Sequence, residues 1–171
     1  MQMKTKTVDE ILRRYKRGDK EFKQVTVQEG DLSKRRLVGV IFEGATLMNC
    51  NFEKSVLQRA CFSAANLRGS NFRGANLSKA DLRGADLRRA TMRAVDLSGA
   101  DLRWANLEGV DLGGSNISGA NFDGTNLKNA SLKNANPGKL WWKANLAEAR
   151  LEGTILPDGT VFGQAAAAKS K

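Results

Sequence analysis

From Phe22 to Leu132 every fifth residue is large and apolar. The series opens Phe22, Val27, Leu32, Leu37, Phe42, Leu47 and runs unbroken through Met92, Ile117 and Phe122. Two residues before each of these, from Ala45 on, stands a mostly small residue: Ala45, Cys50, Ser55, Ala60 and so on to Ala135. Between the two sits mostly Asn or Asp, and glycine recurs in the fifth place. A period of five matches neither the α-helix nor a simple strand. Inside one unit, however, the small and large residues are two apart, so an extended segment points both to one side. The Asn or Asp between them points to the other. A polar, glycine-rich corner follows, where positive φ costs little. One such side cannot bury its apolar residue alone, so many in series must wind into an all-β solenoid.

The phenylalanines suggest how many sides make one coil. Within the repeat they stand at 22, 42, 52, 62, 72 and 122, all separated by multiples of ten. Four sides and 20 residues per coil would stack them as two columns on opposite walls. The stretch ANLRGSNFRGANLSKADLRGADL (65–87) then resembles the pentapeptide-repeat family, whose pattern is A(D/N)LXX. The resemblance covers about Phe22 to Leu156. It implies a right-handed quadrilateral β-helix with the small and large residues both inside. Coils about 4.8 Å apart, about seven of them, would give a rod about 30 Å long. Lys20, Val25, Gly30, Arg35 and Val40 replace the small inward residue in the first units, and the first coil is expected to depart from the ideal there. Cys50 falls on an inward position and Cys61 on an outward one, two sides round, so two free thiols are expected.

A solenoid needs capped ends. Residues 1–20 read as a tail and a capping α-helix. Thr7 and Glu10 have capping-box spacing, Val8, Ile11, Leu12 and Tyr15 form one apolar stripe, and Gly18 is a stop signal. Residues 21–135 are the repeat. Residues 136–145 break its phase: Pro137 stands where a large residue is due, and the next centres are Leu146, Leu151 and Leu156, one out of phase. That reads as the loss of one residue between Ala135 and Ala144. Residues 146–160 resume the repeat and turn out of it, and 161–171 read as a flexible tail. VDEILRRYKRGDKEF and ILPDGT resemble the two ends of cyanobacterial members of the family, a heterocyst regulator among them. That resemblance implies a cyanobacterial origin and a regulatory role.

Catalytic chemistry finds no foothold. The chain has no histidine, which removes the commonest general base and His-based metal sites. No phosphate-binding glycine loop stands between a strand and a helix. The Asp column at 81, 86, 96, 101 and 111 is explained by the repeat. No catalytic residue, cofactor or metal is expected. The N-terminus does not read as a secretory signal, and no stretch approaches the roughly 20 apolar residues of a membrane span, so a cytoplasmic location is the default.

The net charge of +10 makes acidic partners plausible. Ten basic and four acidic residues lie from Lys54 to Arg103, against two and three from 105 to 135. Arg68, Arg73, Arg83, Arg88, Arg93 and Arg103 form a basic belt and are candidate partner contacts. Gln58, Ser78, Ser98 and Ser118 form a neutral stripe on a further side. The adjacent Trp141 and Trp142 are the other candidate: a plug for the last coil, or a contact surface. The expected function is a non-enzymatic scaffold that presents a flat wall to a protein partner. Two alternatives compete. One is a nucleic-acid or topoisomerase (gyrase) effector, although DNA mimicry needs an acidic surface and the belt lacks interleaved aromatics for base stacking. The other is a structural unit that assembles end to end, with a homodimer through the C-terminal end.

Overall fold

The computed structural model describes residues 4–138, 146 and 148–163. Parallel β-bridges join residues 20 apart along the repeat, one bridge per five-residue side. The chain therefore turns four corners per coil and makes four walls. The first wall stacks Glu21, Ile41, Cys61, Asp81, Asp101 and Asn121. The second stacks Thr26 through Asn66 and Asp86 to Asn126, the third Asp31 through Asn71 and Asp111 to Ser131, and the fourth Arg36, Val56, Asn76, Asp96, Asn116 and Asn136. Only one residue per side bridges because the corner comes too soon for a longer strand. Most backbone N–H groups nevertheless find a carbonyl partner. Phe42 N–H donates to Cys61 C=O at 2.7 Å, Gly44 N–H to Ser63 C=O at 2.9 Å, and Ala45 N–H closes the turn on Phe42 C=O at 3.0 Å.

From Val40 to Ala135 the large and small residues of each side are buried together. Phe22, Phe42 and Phe62 stack on the first wall with centroids 5.7 and 5.6 Å apart, and Phe52 and Phe72 stack on the third at 4.8 Å. The two columns meet edge to face across the interior, Phe62 standing 5.9 Å from Phe52 and 6.1 Å from Phe72. Where a hydroxyl replaces the inward alanine it binds a corner carbonyl, in its own coil for Ser55, which donates to Phe52 C=O at 2.6 Å, and in the preceding coil for the others. Ser70 Oγ donates to Leu47 C=O at 2.6 Å and Thr125 Oγ1 to Leu102 C=O at 2.7 Å. The polar group is thereby satisfied inside an apolar core. Cys50 is buried and Cys61 half-buried, and both are free thiols. Burial pushes the Cys50 thiol up from its ordinary pKa.

At the N-terminal end, α1 (Val8–Lys16) follows Thr7, whose hydroxyl accepts from Glu10 N–H at 3.2 Å. Half of the capping box forms. The Glu10 carboxylate turns to Lys6 instead of back to Thr7. Ile11 is fully buried, with Val8, Leu12 and Tyr15 packed around it, and Tyr15 Oη donates to Val38 C=O at 2.9 Å. A Cβ on Gly30 would stand 2.7 Å from Val8 Cγ2, so the missing side chain makes room for the helix. Lys20 and Arg35 are turned outward into solvent, while the first-coil bridges from Glu21, Asp31 and Arg36 persist. One element had no sequence signal: β1 (Lys4–Thr5) pairs in parallel with β2 (Val25–Thr26) and covers the open edge of the second wall.

The C-terminal phase break corrects the expectation of a lost residue. Asn126 bridges Arg150 and Ser131 bridges Ile155, a spacing of 24 where 20 is the rule. The coil gains four residues. Phase alone fixes register only modulo five, and four gained reads the same as one lost. By this register Leu146, not Trp142, continues the Phe122 column, and Leu146 packs against the core. Trp141 and Trp142 lie outside the described residues. Beyond Ile155 the chain doubles back, Val161 pairing antiparallel with Ile155 and Phe162 N–H donating to Thr154 C=O at 2.8 Å. The turn carries the cap through Val161 and Phe162, past Thr160.

Candidate functional site

The repeat distributes its outward residues by wall, and this decides what the belt can do. Arg83 and Arg103 stand on the first wall, Arg68 and Arg88 on the second, Arg73 and Arg93 on the third. The six arginines therefore ring the rod and form no single patch. Most are also spent on local partners. Arg83 grips Asp81 with Nε and Nη2 at 2.9 and 2.7 Å, and Arg88 grips Asp86 at the same distances. Arg103 holds Asp101 in the same way, with Nη2 at 2.7 Å. Arg93 reaches one coil on to Asp111 at 2.7 Å, and Arg68 stands 4.0 Å from Asp86. Among the described residues Arg73 alone of the six has no ion pair. The guanidinium hydrogen bonds hold the Asp81, Asp86 and Asp101 carboxyls below the ordinary carboxylate range.

The Asp and Asn columns have a second task. Each side-chain oxygen accepts the backbone N–H two residues on, as in Ser33 to Asp31 at 3.0 Å and Glu53 to Asn51 at 3.0 Å. This is an Asx-turn that pins each corner. Between coils, Asn71 Nδ2 donates to Asn51 Oδ1 and Asn116 Nδ2 to Asp96 Oδ1, both at 3.2 Å. The carboxylates are corner fasteners. No cluster that could hold a metal ion occurs among the described residues.

One surface residue escaped the sequence reading. Trp104 occupies the corner between the first and second walls and is 61% exposed. Its φ is 57°, left-handed backbone that a bulky side chain rarely adopts. Arg103 Cζ stands 5.5 Å from the centre of the Trp104 rings. One coil on, a Cβ at Gly124 would meet Trp104 Cδ1 at 2.5 Å, so the indole lies over that glycine. One coil back is Gly84, open on its outer side. The signal was present: a tryptophan in the corner position, with glycine 20 residues to either side.

No described helix is long and apolar enough to cross a membrane. No curated protein matches the chain. The chain is similar to HetL, a pentapeptide-repeat protein involved in heterocyst differentiation regulation in the cyanobacterium Nostoc. The two share 25% identity over 91% of this chain and 99% of that one, with a TM-score of 0.35. It is similar to Rfr23, a pentapeptide-repeat protein of the cyanobacterium Cyanothece, at 22% identity over 88% and 95% of the chains, TM-score 0.44. A pentapeptide-repeat protein of the Arabidopsis thaliana thylakoid lumen shares 33% identity over 62% and 69%, TM-score 0.33. The profile of pentapeptide repeats matches residues 31–63, 70–109 and 105–136 in eight copies. Proteins of this kind form right-handed quadrilateral β-helices. With its 20-residue register and its inward small and large columns, the chain belongs to the pentapeptide-repeat family.

Proposed function

We propose that this protein is a non-enzymatic binding rod, about seven coils long, that recognises a protein partner through its walls. The observation that carries the reading is Trp104. The interior is consumed by packing, and the Asp and Arg columns are consumed by one another. A tryptophan held in left-handed backbone over a glycine, with a guanidinium against its ring, is a rigid aromatic platform facing solvent. Tryptophan and arginine are the residues that most often anchor protein interfaces. A regulatory role in a cyanobacterium is part of the proposal and rests on the resemblance of the two chain ends.

The Asp–Arg pairs weigh against the nucleic-acid or gyrase alternative, because a paired guanidinium has less left for a phosphate. The test is affinity capture from the native cell with wild-type protein and Trp104→Ala. The reading expects partners bound by the wild type to be lost by the variant while its melting temperature is kept. Equal capture by both would overturn the role of Trp104. Micromolar binding of non-specific DNA that weakens steeply with salt would favour the alternative.

A further inference from the structure

The fourth wall differs from the others in its charge. In its first three coils, 36–39, 56–59 and 76–79, it has no acidic residue. Arg36, Arg59 and Lys79 are exposed there, and Lys20 leans over from the first coil, where a Cβ on Gly39 would stand 3.7 Å from its Nζ. Among the described residues none of these four cations has an ion pair. Lys79 is laid along the corner in the same manner, its Cγ 3.6 Å from where a Gly99 Cβ would be. Beside them Val38, Gln58 and Ser78, with Arg59 and Lys79, line an open depression of about 300 Å³. Val38, Gln58 and Ser78 are each half-buried, so the floor of the depression is uncharged.

We infer that this N-terminal half of the fourth wall docks a carboxylate-rich, extended segment of a protein partner. The charge pattern favours such an occupant. Cations without carboxylates of their own are the ones left to recognise a foreign carboxylate. Arg59 and Lys79 are one coil apart, about 4.8 Å, and alternate residues of an extended chain are about 6.8 Å apart, a mismatch that the flexible cationic side chains can absorb. The wall suits single-stranded nucleic acid less well, because its described residues include no aromatic on which a base could stack. This goes beyond the Trp104 reading and stands on different residues at a different corner.

The probe is a fluorescently labelled deca-glutamate peptide, titrated in about 150 mM salt, where exposed charges are screened beyond about 8 Å. Binding is expected for wild type and for Trp104→Ala. The triple variant Lys20→Gln/Arg59→Gln/Lys79→Gln should lose about tenfold or more in affinity. A control, Arg89→Gln/Lys128→Gln/Lys133→Gln, removes the same charge from other walls and should keep affinity within about twofold. All substitutions are at the surface, and circular dichroism should show unchanged folding. Equal losses in both triple variants would reduce the effect to net charge and overturn the inference. So would absence of peptide binding by the wild type. A single-stranded oligonucleotide of equal charge that binds more tightly, and is lost in the same triple variant, would assign the wall to nucleic acid and overturn it as well.

Discussion

The interior and the outer walls of this rod keep the same five-residue rhythm but follow different rules. Inside, each side of the middle coils repeats the last: one large residue, one small, and a hydroxyl only where a carbonyl can receive it. Outside, the same register brings different residues together on each wall. Asp–Arg pairs dominate the first two walls, while a carboxylate-free strip opens the fourth. Periodicity forces the interior, because each residue must fit the one stacked 20 places away. It leaves the outward position after the large residue free, and that is where partner recognition can be written. The strongest predictions come from the constrained part and the weakest from the free part.

The largest expected effect is inside. Leu87 is fully buried, and Leu87→Ala should cost about 2–5 kcal/mol, read from urea unfolding. Thr125→Val should cost less, about 1 kcal/mol, since Leu102 C=O keeps the Ala105 N–H at 3.0 Å after the hydroxyl is lost. The corners come next and allow a paired test. Gly84 and Gly124 have φ of 64° and 63°, so alanine strains the backbone equally at both. Only at Gly124 does the new methyl strike Trp104. Gly124→Ala should therefore be the more destabilising of the two. Adding Trp104→Ala should bring it back to the level of Gly84→Ala. If the two single variants melt alike from the start, Trp104 does not lie over Gly124.

Legibility in the sequence divides along the same line. The five-residue period gave the inward columns, and the phenylalanine spacing gave four sides, because packing leaves a mark at every turn. α1 was readable from Thr7 and its apolar stripe. β1 was not, since Lys4–Thr5 pairs through its backbone and has no side-chain pattern. The four-residue gain between Asn136 and Arg150 reads in the sequence as a loss of one, because a phase is known only modulo five. The arginine belt was visible as composition, yet its spread over three walls and its capture by Asp81, Asp86 and Asp101 required the 20-residue register. Trp104 stands out only when its corner is matched with Gly84 and Gly124 in the 20-residue register.

Acid should act on the walls before it acts on the interior. Asp81, Asp86 and Asp101 titrate below their unfolded range because Arg83, Arg88 and Arg103 bond their charged forms. A carboxyl whose folded pKa is depressed contributes stability that is complete above the unfolded pKa, about 3.9 for Asp. That contribution is lost as pH falls through the lower folded value. The melting temperature should therefore hold steady down to about pH 4 and fall below it. Replacing Asp81, Asp86 and Asp101 by Asn should flatten that fall. An equally steep fall in the triple Asn variant would place the acid sensitivity elsewhere.

The smallest effect separates two arginines that the sequence treats alike. Arg103 and Arg73 both follow a large inward residue. Arg103 is tied to Asp101 and lies near the Trp104 ring, whereas Arg73 has no ion pair among the described residues. Both are solvent-accessible, so neither substitution should shift stability far. At low salt Arg103→Gln should still melt below Arg73→Gln, because Asp101 loses its two-point guanidinium grip, keeping only Arg83 at 3.8 Å, and the indole is freed. At about 1 M salt, where the Debye length is about 3 Å, the electrostatic share of that gap should shrink. Any gap that remains then measures the packing of the guanidinium against Trp104. Identical melting of the two variants at low salt would mean that the Arg103–Asp101 pair and its contact with Trp104 add nothing to the stability of the rod.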